Sequence, residues 1–297
     1  MSSSEHSLKD YFPILSMAGL ILIVQVLSLL LSMPMETNDM QAFEDPTQVS
    51  NSIYYIIMIL AFTLFVLIAI KKNMKWIISL LIYLAIVSTL YYVFFALFTL
   101  IPSLSGFEDI ISILISIGLT VLLYKFPEWY VIDILGVCIA AGVSTLIGIS
   151  LSVIPVVVLL ILLAVYDAIS VYKTKHMVTM AEGVMDLKLP ILFIIPKHAD
   201  YSFIKESFNE GEKREAFFMG LGDAVMPTLL VVSANVFLEN GVFSYPVIGA
   251  MLGTLVGHVL LSIVVMKGNP QAGLPFLNTG AILGFFIGVL LSGASIL

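Results

Sequence analysis

The chain has 297 residues, of which 60% are hydrophobic and 11% charged, with a net charge of −7 and a mean hydropathy of +1.09. That balance excludes a soluble globular domain and describes a polytopic membrane protein. The lone Cys138 excludes a disulfide framework or a cysteine metal cluster within one chain and is read as a small apolar packing residue.

A membrane-crossing helix needs about 20 mostly apolar residues. Nine segments qualify, 13–32, 53–70, 76–100, 109–124, 129–149, 153–172, 217–238, 245–266 and 273–294, and they predict an all-α fold of nine transmembrane helices. The first follows Lys9 but ends Leu30-Leu31-Ser32-Met33 without a small-residue cleavage pattern, so it is read as a retained helix. Small residues recur every four positions in the fifth segment (Gly136, Ala140, Ser144, Gly148), the eighth (Gly249, Gly253, Gly257) and the ninth (Gly280, Gly284, Gly288). Such stripes let backbones approach closely, within one chain or between copies in a homo-oligomer, because lipid supplies no hydrophobic force between helices.

Cations report orientation, since cytoplasmic loops retain Lys and Arg. With nine spans and a cytosolic N-terminus, all 13 Lys and Arg residues fall on the cytosolic side, from Lys9 and the Lys71/Lys72/Lys75 cluster to Lys267. The opposite loops hold Glu36, Asp39, Glu44, Asp45 and Glu239. The expected topology therefore has the N-terminus in the cytosol and the C-terminus outside, in a multi-pass protein of the cell membrane.

The chain divides into a six-helix part (1–172), a cytosolic connection (173–216) and a three-helix part (217–297). Within the connection, Leu187–Pro196 is an apolar run too short to span and bounded by Pro190 and Pro196, which predicts a short strand or an interfacial segment. Lys205–Glu215 carries both signs of charge and reads as a solvated helix or a disordered stretch.

Two carboxylates interrupt the apolar pattern. Asp167 lies near the end of the sixth segment in Tyr166-Asp167, and Asp223 near the start of the seventh in Gly220-Leu221-Gly222-Asp223. An ionisable residue within a spanning helix costs about 2.5 to 3.5 kcal/mol on insertion scales and marks a functional site. On consecutive antiparallel helices, about five residues before one end and six after the next start, the two carboxylates reach the same depth below the cytosolic boundary. Such a pair shares a proton and titrates as a unit. The ionised member can take a proton from water while the other donates to a carbonyl oxygen, which is amide hydrolysis without a covalent intermediate. Gly220 and Gly222 clear side chains from beside Asp223. Pro227 deprives the Asp223 carbonyl of its helical donor. Tyr166 is either a hydrogen-bond donor near the pair or an interfacial aromatic.

A Tyr-Asp helix, a long connection and a Gly-Leu-Gly-Asp helix in a nine-span chain resemble the presenilin and signal peptide peptidase family of intramembrane aspartyl proteases. The size and compact loops are most similar to an archaeal presenilin homologue. The resemblance covers essentially the whole chain and implies that Asp167 and Asp223 are catalytic. Substrates would then be transmembrane-helix proteins cut within the bilayer near their cytosolic ends, with no cofactor, no metal and no nucleic-acid partner. The family's third motif, Pro-Ala-Leu, is matched in part by Ala272-Gly273-Leu274-Pro275, where Ala272 replaces the proline.

The competing reading is a proton- or sodium-coupled transporter, the commoner meaning of intramembrane aspartates taken alone. Of the remaining polar residues, Asn278 and His258 are read as packed, hydrogen-bonded side chains, and Asp133 as a structural carboxylate at a helix end. No His-x-x-x-His pair or comparable cluster suggests a metal.

Overall fold

A computed structural model describes residues 8–72, 74–174, 191–198, 200–204, 215–238, 244–265 and 271–293. The first four residues of the Leu187–Pro196 run, the charged stretch from Lys205 to Arg214, Glu239 and Lys267 lie outside these. Nine α-helices occur among the described residues: α1 (Leu8–Thr37), α2 (Ser50–Lys71), α3 (Lys75–Thr99), α4 (Glu108–Lys125), α5 (Trp129–Gly148), α6 (Val153–Ile169), α7 (Leu221–Phe237), α8 (Tyr245–Val265) and α9 (Leu274–Ser292). A π-helical turn, Ser170–Thr174, extends α6.

Seven of these helices are long and apolar enough to cross a membrane. The other two fall short for separate reasons. α4 is 18 residues long and carries Glu108, Asp109 and Lys125 at its ends. α7 is 17 residues, about 25 Å at 1.5 Å per residue against a hydrocarbon core of about 30 Å. The sequence places the start of that span at 217, but Ala216–Gly220 is a strand, β2, that runs directly into α7. Phe217, Phe218 and Met219 extend the apolar run without a break, and hydrophobicity alone does not separate a buried strand from a helix turn. The all-α expectation is corrected accordingly by one two-stranded sheet.

β1 (Leu192–Pro196) pairs antiparallel with β2, Leu192 opposite Gly220 and Ile194 opposite Phe218. The expected short strand thus occupies the described part of the Pro-bounded run. Beyond the strand ends, Leu221 N–H donates to the Ile191 carbonyl (3.1 Å) and Lys197 N–H to that of Glu215 (2.9 Å). Odd-numbered residues therefore point their amides across the ladder, and even-numbered ones point away from it. On the far side of β1, the amide of Ile194 donates to Oδ1 of buried Asp133 on α5 (2.8 Å). The structural role expected of Asp133 is thus to close the inner edge of the sheet.

α5 and α7 lie at the centre. Of the most apolar 18 residues of α5, 61% are buried in protein, against 11% for α2. The α5 stripe seats α7: a Cβ on Gly136 would meet Leu221 and Phe193, one on Gly148 would meet Val232 at 2.7 Å, and Ser144 donates to the Val225 carbonyl (3.3 Å). The α8 and α9 stripes face each other, Gly249 against the Gly284 carbonyl, Gly253 against that of Gly280 and Gly257 against that of Phe276. All three stripes therefore make close helix contacts within the chain. In the loop entering α2, the hydroxyl (2.6 Å) and backbone N–H (3.0 Å) of Thr47 and the side-chain Nε2 of Gln48 (3.0 Å) donate to Asp45 and hold its carboxyl below the usual range.

Candidate active site

Asp167 is buried, two residues before the end of α6. Its Oδ2 accepts the amide of Leu274 at 3.1 Å, and the amide of Gly273 also donates to it. Gly273 is the N-cap of α9 and Leu274 its first residue, so these donors are among those a helix start leaves without intrahelical partners. Pro275, next in line, brings no N–H to satisfy. Asp167 thus binds the N-terminus of α9, where the helix dipole favours negative charge.

Asp223 occupies the first turn of α7, three residues after the N-cap Gly220. Its place relative to the helix start differs from the one read off the sequence, because β2 takes the preceding residues. What brings it to Asp167 is the α9 entry. A Cβ added to Gly273 would lie 2.8 Å from Oδ1 and 3.1 Å from Cγ and Oδ2 of Asp223. Real Cβ atoms do not make the first of these contacts, so a side chain at position 273 would have to push the Asp223 carboxylate aside. One residue pair, Gly273-Leu274, therefore touches both carboxylates, and the aspartates converge on it from two helices.

The other residues singled out in the sequence divide clearly. Gly220 lies beside Asp223, with an added Cβ 3.8 Å from Oδ2. Gly222 is exposed, and a Cβ there would meet nothing within 4 Å, so it faces open space. Leu221 turns its side chain toward Gly136 and ties its amide to the hairpin. Tyr166 is half-buried, and its carbonyl accepts the Ser170 hydroxyl (2.7 Å). Ala272 is fully buried. Asn278 donates to the Leu160 carbonyl (3.0 Å), tying α9 to α6, and His258 Nε2 lies 3.2 Å from the Ile14 carbonyl oxygen. Both match the packed, hydrogen-bonded roles expected of them. Among the described residues no group of three or more His, Cys, Asp or Glu side chains is placed to hold a metal ion.

Two contacts were not foreseen. Tyr172, in the π-helical turn, donates its hydroxyl to Gln271 Oε1 (2.7 Å) and accepts the amide of Ala272 (3.3 Å). Asp133 reaches the amide of Ile194, 61 residues away. The only advance signal for Asp133 was its cost in an apolar helix; Tyr172 gave none.

The family model described as signal-peptide peptidase, presenilin aspartyl protease matches residues 18–294. The chain belongs to that family. Two solved structures of a presenilin family intramembrane aspartate protease, in C222 and P2 space groups, share 43% sequence identity with it. The first has a TM-score of 0.72 and the match covers 94% of this chain and 100% of that one; for the second the values are 0.71, 95% and 99%. No curated protein sequence matches significantly. The protein is therefore an aspartic protease with an integral multi-pass membrane fold, and the transporter reading finds no support.

Proposed function

We propose that this protease is an endopeptidase that hydrolyses peptide bonds within transmembrane helices of other proteins, with Asp167 and Asp223 as its catalytic pair. The observation that carries the reading is the convergence of both carboxylates on Gly273-Leu274. Two carboxylates so close do not readily ionise together, so the pair holds one proton over a wide pH range. The ionised member takes a proton from water as the water oxygen adds to the scissile carbonyl carbon, and the other donates its proton to the carbonyl oxygen. Collapse of the tetrahedral species breaks the C–N bond and sends a proton to the leaving amine. The cation distribution supports a cytosolic N-terminus and an active site near the cytosolic side.

A helical substrate hides its amides in internal hydrogen bonds and must unwind to be cut. The outer edge of β2 offers its unwound strand a partner. Asp133 occupies the opposite edge of the sheet, so an added strand would bond the outward backbone groups of Ala216 and Gly220. That path leads toward Asp223 and past the open space at Gly222.

The test is to purify the protein, supply a single-span substrate and compare wild type with Asp167→Asn and Asp223→Asn. Both variants are expected to yield no product. Normal cleavage by either rules out the pair. A transporter would instead give ion-dependent flux in sealed vesicles.

A further inference from the structure

The first turn of α9 does not reach the aspartates unaided. Immediately before Gly273, Gln271 and Ala272 are both bound to one hydroxyl, that of Tyr172, which belongs to the same continuous segment as Asp167. Tyr172 lies in the π-helical turn that continues α6, five residues past Asp167. A phenol this exposed (53%) would otherwise be hydrated; here it both donates and accepts within the protein. The amide of Ala272 is available only because residue 272 is not proline, the residue that begins the corresponding motif in the family the chain resembles.

We propose that Tyr172 is a positioning residue for hydrolysis. Its hydroxyl locks Gln271-Ala272 to α6, so that Gly273 stays against Asp223 while Leu274 N–H stays on Asp167. The inference rests on the reading of Asp167 and Asp223 as the catalytic pair. The clamp closes a ring: Asp167, the π turn, Tyr172, Ala272, Gly273-Leu274 and back to Asp167. Opening it at Tyr172 removes the tie that holds Gln271-Ala272, ahead of Gly273, to α6, and misplacement of reacting groups on the ångström scale is costly in rate.

The experiment measures kcat, KM and Tm for Tyr172→Phe, Ala272→Pro and the double variant on a single-span substrate, with Asp167→Asn alongside. Tyr172→Phe removes the hydroxyl with little change in volume, and Ala272→Pro removes the donated amide. Each is expected to lower kcat about three- to tenfold, as for one or two hydrogen bonds, with KM and Tm nearly unchanged. The double variant should fall no further than the worse single one, because both open the same link. A wild-type kcat in Tyr172→Phe overturns the proposal. So does a loss carried by KM or tracked by Tm, an Ala272→Pro protein as active as the parent, or multiplicative losses in the double variant. Full activity in Asp167→Asn would remove the catalytic pair itself; an inactive Asp167→Asn beside an unaltered Tyr172→Phe removes only the positioning role.

Discussion

Gly273 is the residue on which the site turns. It is the N-cap of α9, its amide serves Asp167, and its missing side chain admits the carboxylate of Asp223. Gly273→Ala should therefore displace Asp223 and not merely tighten packing. Displacement of about 1 Å at a reacting group costs on the order of 100-fold in rate. We expect kcat to fall by about that factor in Gly273→Ala while the protein remains folded, measured by single-span substrate cleavage and thermal unfolding. Gly222→Ala provides the contrast: its Cβ enters open space, so Tm should hold and any effect should fall on KM. Wild-type kcat in Gly273→Ala would show that the carboxylate has room to give.

At the scale of the element, the hairpin separates two kinds of backbone position. Phe217 is odd-numbered and bonds across the ladder to Ile195, whereas Ala216, the first residue of β2, turns its amide outward. Proline is tolerated on an edge strand where its missing N–H faces away from the ladder. Ala216→Pro should therefore leave Tm close to wild type but lower cleavage sharply if a substrate strand adds to β2. Phe217→Pro should lower Tm, since it removes a bond to β1. Unchanged turnover in Ala216→Pro would sink strand addition while leaving the aspartate pair standing. β1 was legible in the sequence because prolines bound it. β2 was not, because it joins α7 through an unbroken apolar run. The aspartates were conspicuous because a carboxylate is costly among apolar residues, and the stripes because four-residue spacing is a helical period. Contacts such as Tyr172 with Gln271 and Asp133 with Ile194, 99 and 61 residues apart, are made by the packed fold and leave no local mark.

For the whole molecule, the α8–α9 seam is the closest helix approach tied to the site, since α9 begins at Gly273. Gly253→Ala gains up to about 1 kcal/mol of helix propensity. Overpacking against the Gly280 backbone costs about 1 to 3 kcal/mol, so the net effect should be destabilising. We expect a lower Tm together with lower kcat, because a spread seam shifts the α9 entry; a Tm at or above wild type would contradict a closed seam. The hairpin register imposes a different limit on the same molecule. Because outward and inward positions alternate one by one, deleting a single residue from Ala216–Gly220 would exchange every pointing direction on β2. It would also draw Asp223 along the chain toward the sheet. Related sequences should accordingly vary in the side chains of this segment far more readily than in its length, and insertions should gather beyond the Lys197–Glu215 end of the ladder.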